Sequence, residues 1–251
     1  MYFRQFLNDK TACASYLLGC KTVGRFAVVD SHIDLVDEYV ALAGAQGAEI
    51  AAVIETHVQA DHVSGLPELV ARVGATAYLP EGAGVGFDHH ALADGEVLTL
   101  GNTELQAIAT PGHALAHHAF LVTDHRRADE PWFVLTGDAL LVGDAGRPDL
   151  HAHGDHTVES MARALYRSLT ERLLTLPDHL ALFPAHYSGS VCGRGLSDST
   201  IGFERRHNTA LQFDSEDAFV EALTQDIPPA PEQQAAIVAA NRTGRPLAEV
   251  A

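Results

Sequence analysis

Four short apolar runs in this chain stop at residues that can bind a metal ion. Ala51-Ala52-Val53-Ile54 leads to His57, and Leu105-Gln106-Ala107-Ile108-Ala109 leads to His113. Trp132-Phe133-Val134-Leu135 leads to Asp138, and Leu180-Ala181-Leu182-Phe183 leads to His186. Runs of this length and composition read as strands. In open α/β sheets, ligands bind outside the carboxyl ends of the strands. The pattern therefore asks for a fold in which strands distant in sequence share one rim.

The densest of these places is Thr56-His57-Val58-Gln59-Ala60-Asp61-His62. It lies between a strand and the helical pattern that starts at Leu66. Imidazole nitrogen and carboxylate oxygen are ligands for borderline metals such as zinc and iron, so His57, Asp61 and His62 on one loop point to a metal. Asp61 and His62 have a second reading as N-caps of the following helix, a place that Asp fills well. Gln59 is a poor ligand, because its amide oxygen is neutral and weakly donating.

Residues 13–30 read as a hairpin, and Ile33, Val36, Val40 and Ala43 mark one face of a helix. A short strand is expected at 76–79, a strand pair around Gly101-Asn102, and a further strand at 118–122. Met161, Leu165, Leu169 and Leu173 predict a helix over 157–175. Early hairpins mixed with helices fit a layered α/β (α+β) arrangement. From Asp214 two helical patterns are separated by Ile227-Pro228-Pro229-Ala230-Pro231. We therefore expect a catalytic domain over 1–213 and a helical extension over 214–251. The extension would pack on the body or serve a homodimer contact.

Composition narrows the partners. With 16 Lys+Arg against 33 Asp+Glu the formal net charge is -17, which excludes a nucleic-acid binder relying on basic surface. No apolar run approaches the length of a membrane span, and Met1-Tyr2-Phe3-Arg4-Gln5-Phe6 lacks the look of a signal peptide. Cys13, Cys20 and Cys192 are too few for a disulfide framework, so a cytoplasmic setting with reduced thiols is expected. Of the 15 histidines, those in His151-Ala152-His153-Gly154-Asp155-His156 read as a solvated loop. His89-His90 and His117-His118 read as surface or strand residues.

The His57 loop resembles the H-x-H-x-D-H signature of the metallo-β-lactamase superfamily. It matches at His57, Asp61 and His62 and departs at Gln59. The resemblance implies two mixed sheets between helices, an αββα sandwich with metal at its edge. It carries the ligand pattern onto His57, His113, Asp138 and His186. Members with two metals also use the histidine that Gln59 replaces. What remains is His57, His113 and Asp138, the two-His-one-carboxylate set of non-haem Fe(II) oxygenases. Thr136 to Leu141, Gly146 to Leu150, Ser188 to Gly193 and Ser199 to Arg206 resemble the persulfide dioxygenase branch, in a stand-alone form without a rhodanese domain.

That branch implies one Fe(2+) per chain, a thiol persulfide and O₂ as substrates, and sulfite as product. Gln59, Asp61, His62 and His186 would then orient ligands or hold a second metal. Arg147 would hold a substrate carboxylate, or pair with Asp144 or Asp149. Tyr187 would donate to substrate, or be a half-buried aromatic. Cys20 and Cys192 would carry persulfide sulfur, or be inert buried thiols. The alternative is a thioester hydrolase resembling glyoxalase II (hydroxyacylglutathione hydrolase), with Zn(2+) activating water. A third reading is a binding module that kept the fold without activity.

Overall fold

A computed structural model describes residues 1–152, 154–187, 196–227 and 229–249. The first half of the chain forms a six-stranded mixed sheet in sequential order. Its strands are β1 (Tyr2–Asn8), β2 (Cys13–Cys20), β3 (Arg25–Val29), β4 (Glu49–Ile54), β5 (Thr76–Pro80) and β6 (His90–Leu92). The first three run antiparallel and the last four parallel. Parallel neighbours need a crossover; α1 (Val36–Ala45) and α2 (Leu66–Val73) supply the first two.

The second sheet is built from β7 (Val97–Leu100), β8 (Thr103–Ala109), β9 (His118–Asp124) and β10 (Phe133–Gly137). After a small ribbon of β11 (Leu140–Leu141) and β12 (Asp144–Ala145), it is completed by β13 (Ala181–Pro184) and β14 (Ser199–Thr200). The strand order is β14-β13-β10-β9-β8-β7. Helix α3 (Val158–Arg167) lies between β12 and β13, and α4 (Ile201–His207), α5 (Glu216–Thr224) and α6 (Gln234–Thr243) follow β14.

Side-chain alternation along the strands produces the layers. Tyr16, Leu18, Ala27, Val29 and Ile54 of the first sheet meet Leu105, Phe120, Phe133 and Leu135 of the second in one buried cluster. The odd-numbered face supplies Leu17, and its neighbours Val28 and Val53, to a cluster with Tyr39, Leu66 and Leu69 of the helical side. On the far side Val134 and Leu182 pack with Leu165, Leu169 and Phe219. Strands buried on both faces explain why the central runs are continuously apolar rather than alternating.

Several elements differ from the sequence expectation. β1 and β6 were not foreseen: both lie at sheet edges, where much of the strand stays exposed and no apolar pattern is required. The helix expected over 157–175 is α-helical only to Arg167 and continues as a π-helix over Ser168–Leu173. Met161, Leu165, Leu169 and Leu173 are nevertheless all buried. Neither Asp61 nor His62 caps the next helix, because α2 starts at Leu66 with Gly65 as its N-cap. Among the described residues no helix is long and apolar enough to cross a membrane.

The C-terminal helices pack on this frame. α5 buries Phe219 and Val220 in the cluster that holds Leu165. α6 reaches the His57 loop through Asn241, whose Nδ2 donates to the carbonyls of Gln59 at 3.0 Å and His62 at 2.9 Å. Its Oδ1 accepts from the Ser64 amide at 2.9 Å. One buried side chain thus satisfies three main-chain groups of the loop. Asn241→Ala strands all three, and each unpaired buried polar group costs about 1–3 kcal/mol. We expect a loss of at least ~1 kcal/mol in urea denaturation; a change within ~0.5 kcal/mol, the range of neutral surface substitutions, would show that the loop holds itself.

Candidate metal centre

The ends of β4, β8, β10 and β13 meet at one rim. His57 Nε2 lies 3.8 Å from Asp138 Oδ2, and His113 Nε2 lies 3.5 Å from the same oxygen. Metal–ligand bonds of about 2.0–2.2 Å place neighbouring donors of one ion roughly 3–4 Å apart, so the spacing fits. His57 Nε2 is fully buried without a hydrogen-bond partner. A buried polar atom left in that state is costly unless something occupies the site. Two imidazoles, a carboxylate and an orphaned nitrogen together fit a divalent transition metal.

The outer atoms of each ring fix its direction. Asp30, at φ 51° just after β3, accepts from the Thr56 amide at 2.8 Å and the Thr56 hydroxyl at 2.9 Å. Having donated to Asp30, the Thr56 hydroxyl accepts from His57 Nδ1 at 3.0 Å. That sets the tautomer and leaves the Nε2 lone pair facing the centre. Burial and Glu55 raise the Asp30 pKa while Thr56 opposes them; with donors aimed at its oxygens, its geometry is that of an acceptor carboxylate. His113 Nδ1 donates to the Arg147 carbonyl at 3.0 Å, again freeing Nε2.

Asp138 is held from two sides. Its amide donates to His117 Nε2 at 3.1 Å, and His117 Nδ1 in turn donates to Thr110 Oγ1 at 2.8 Å. Its Oδ1 accepts from His186 Nδ1 at 2.7 Å. Gly146 makes this close approach possible, because a methyl group there would overlap the Asp138 carbonyl oxygen.

Charge divides the rim into two halves. Burial first, then His113 and His117, hold His57 well below the usual imidazole range. Burial and His113 likewise push His117 and His151 down to about 3. These three rings are therefore neutral near pH 7. Across Asp138 the order reverses. Burial opposes charge on His186, but Asp138, Asp61 and Cys13 raise it well above its ordinary value. Burial also opposes charge on His62, and Cys13 and Asp61 overcome it.

The residues singled out in the sequence that the structure describes each have a definite place. Asp61 Oδ2 receives His186 Nε2 at 2.6 Å, and Asp61, Asp138 and His186 form a second converging set. His62 joins Asp61 and Cys13 in a third. Gln59 is buried and donates its amide to Asp30 Oδ1 at 2.9 Å. Arg147 spends its guanidinium on Asp149, with bonds of 3.0 and 2.8 Å. The Tyr187 hydroxyl donates to Asp9 at 2.7 Å, and the ring is buried, not half-buried. Cys20 lies at the opposite end of β2 from the rim residue Cys13. At ~3.3 Å per residue that separation is roughly 23 Å, which removes Cys20 from the site. Cys192, with the Ser188 to Gly193 stretch, lies outside the described residues.

Two histidines and a thiol correct the sequence reading. His151 is not on a solvated loop: it is buried, and its ligand atom gathers with those of His57 and His113 within 4.8 Å. His118 opens β9, as a strand residue, but His117 lies outside the strands and is buried, and it stacks on His57 with ring centroids 5.1 Å apart. Cys13 was passed over, yet its Sγ is 3.3 Å from His186 Nε2. Burial resists its ionisation, but His186 and His62 bring the thiol down to about 7. Nothing in the local sequence of Cys13 marks it; its partner is 173 residues away.

The Metallo-beta-lactamase superfamily profile matches residues 8–186, and the chain belongs to that superfamily. Its relatives include proteins named as persulfide dioxygenases. It is 29% identical over 239 residues to the mitochondrial persulfide dioxygenase ETHE1 of Bos taurus, covering 95% of this chain and 86% of that one. Its structure resembles ETHE1 from Myxococcus xanthus, with a TM-score of 0.85 and 29% identity over 97% of this chain and 99% of that one. It also resembles a metallo-beta-lactamase from Staphylococcus aureus subsp. aureus COL, with a TM-score of 0.89 and 30% identity over 98% of this chain and 73% of that one. The αββα sandwich implied by the His57 loop is the fold of this chain.

The neutral half gives a signed pH dependence for metal-free protein. His57, His117 and His151 have folded pKa values below the unfolded value of about 6.5. Their contribution is present above that value and is lost as pH falls toward the folded values, at about 1.4 kcal/mol per unit for each ring. The raised His62 and His186 are charged in both states below pH ~6.5 and add no slope there. Urea denaturation at several pH values between ~7 and ~5 should show this fall, and His117→Gln should reduce its steepness by one proton. An unchanged slope in His117→Gln would mean that this ring is already protonated in the fold.

Proposed function

We propose that the protein is a non-haem Fe(II)-dependent persulfide dioxygenase, with iron held by His57, His113 and Asp138. The observation that carries this reading is the position of Gln59. Its amide is committed to Asp30, so the loop offers one imidazole to the cradle, and the ligand set we assign is two imidazoles and a carboxylate with positions left open, with the His151 ring beside them. The similarity to persulfide dioxygenases along 95% of the chain supports the same chemistry.

The reaction converts RSSH, O₂ and water to RSH, sulfite and two protons. The outer sulfur is oxidised and O₂ is reduced. Iron, when bound, supplies a redox-active centre with room for a sulfur ligand and O₂. The chain supplies the rest. Thr56 and the Arg147 carbonyl keep the Nε2 atoms of His57 and His113 aimed inward. His117 and His186 keep Asp138 in place as charge shifts at the centre. His186, protonated between Asp61 and Asp138, holds a proton at Nε2 within 2.6 Å of Asp61, where a departing thiolate can take it. We place this reaction in a reducing compartment such as the cytoplasm.

Metal analysis of anaerobically purified protein, paired with O₂ uptake on glutathione persulfide, tests the reading. We expect about one iron per chain, the mononuclear content of a two-His-one-carboxylate site. We also expect persulfide-dependent O₂ consumption, and loss of both in His113→Ala. Zinc near two per chain with no O₂ uptake would overturn the proposal in favour of thioester hydrolysis, as in a two-metal site.

A further inference from the structure

A third imidazole converges on the metal rim with those of His57 and His113. The ligand atoms of His57, His113 and His151 all lie within 4.8 Å of one another, and all three rings are buried. Their planes stand steeply to each other, at 86° between His57 and His113, 82° between His57 and His151 and 68° between His113 and His151. The lone pair of an imidazole lies in the plane of its ring, so rings inclined in this way can aim three nitrogens at one point. Two further rings at the rim are engaged elsewhere. His117 binds Thr110 and the Asp138 amide, and His186 binds Asp138 and Asp61.

The segment after β12 puts His151 in this position. Gly146 has no room for a side chain between the Asp138 carbonyl and the His113 Cβ. The Arg147 carbonyl accepts from His113 Nδ1 at 3.0 Å, and the Arg147 guanidinium is clamped to Asp149. The Ala152 amide then donates to the Asp149 carbonyl at 3.1 Å, and the Leu150 carbonyl accepts from Gln234 Nε2 of α6 at 2.6 Å. His151 therefore sits on the segment that aims His113, and that segment is tied down on both sides of it. His151 also lines a cavity of about 250 Å³, together with Val58, Arg242 and the small-residue turn Gly82 to Gly84. The ring thus forms the wall between that cavity and the centre. Metal–ligand bonds of about 2.0–2.2 Å put opposite donors of one ion roughly 4.2 Å apart, so atoms within 4.8 Å of one another need a shift of only about half an ångström to close on it.

We infer that His151 is a fourth protein ligand of the metal, joining His57, His113 and Asp138, and that it supplies the imidazole which Gln59 does not. The inference rests on the ligand set of the proposed dioxygenase, but not on its turnover. Imidazole suits iron and zinc alike, so the fourth ligand serves whichever of the two the chain carries. In a six-coordinate ion, four protein ligands leave two positions, enough for a persulfide sulfur and O₂ together. The chain makes up a ring missing from one loop with a ring from another, and it holds that ring through the residues that already orient His113.

X-ray absorption at the iron edge of anaerobically loaded protein tests this directly. Wild-type protein should show three imidazoles at the metal. His151→Leu, which keeps the wall filled but has no donor nitrogen, should show two. Competition with a chelator should find Fe(II) held more than about 100-fold more weakly by His151→Leu, beyond the roughly 10–100-fold that losing an outer hydrogen-bond partner costs. Two imidazoles in wild-type protein, a result that needs no variant to fold, would overturn the inference, and so would an unchanged number in His151→Leu. If the protein carries zinc, the same comparison is made at the zinc edge. Three imidazoles at the metal without O₂ uptake on any persulfide would sink the dioxygenase reading and leave His151 as a ligand. Two imidazoles with persulfide-dependent O₂ uptake would do the reverse.

Discussion

The site depends on one buried acceptor. Asp30 takes the amide and hydroxyl of Thr56 and the amide of Gln59, and so couples the end of β3 to the loop after β4. Without that acceptor the Thr56 hydroxyl would be free to turn, and His57 would lose the contact that defines its tautomer. Asp30 pays a conformational cost for the position, with φ at 51°. That region is sparsely populated by non-glycine residues. The strain is offset by three hydrogen bonds in a place where water has no access.

The same logic repeats around the rim. Each inward-facing atom is aimed by an outward-facing one, Thr56 for His57, the Arg147 carbonyl for His113 and His117 for Asp138. The aiming groups come from different strands and loops, so the centre is assembled only when both sheets are in register. Asp138 also separates a neutral set of imidazoles from an ionic set containing His186, Asp61 and Cys13. The candidate metal cradle and the ion-paired set around His186 therefore share one carboxylate.

Much of this was legible in the sequence, for a physical reason. His57, His113, Asp138 and His186 each follow a buried strand, and buried strands announce themselves as apolar runs. Edge strands do not, which is why β1 and β6 went unread. His117 and His151 were misjudged because their environment is made by distant residues: the first by Thr110 and the Asp138 amide, the second by the rings of His57 and His113. Cys13 and Arg242 were invisible for the same reason. Cys13 faces its histidines only across the fold, and Arg242 meets the cavity only after α6 has docked. Gln59 was visible as a departure, but its partner Asp30 was not, since an aspartate ending a hairpin strand looks like any turn residue.

The docking of α6 has a consequence for how such a protein can change over time. Asn241 fastens the loop that carries His57 and His62, and the next residue, Arg242, faces the neighbouring cavity. Shifting the helix to reshape the cavity would drag the loop with it. Variation is therefore channelled into single-residue replacement at a fixed scaffold, at position 242 and on the opposing small-residue turn. A lineage can change the lining of the cavity while the geometry of the rim stays as inherited.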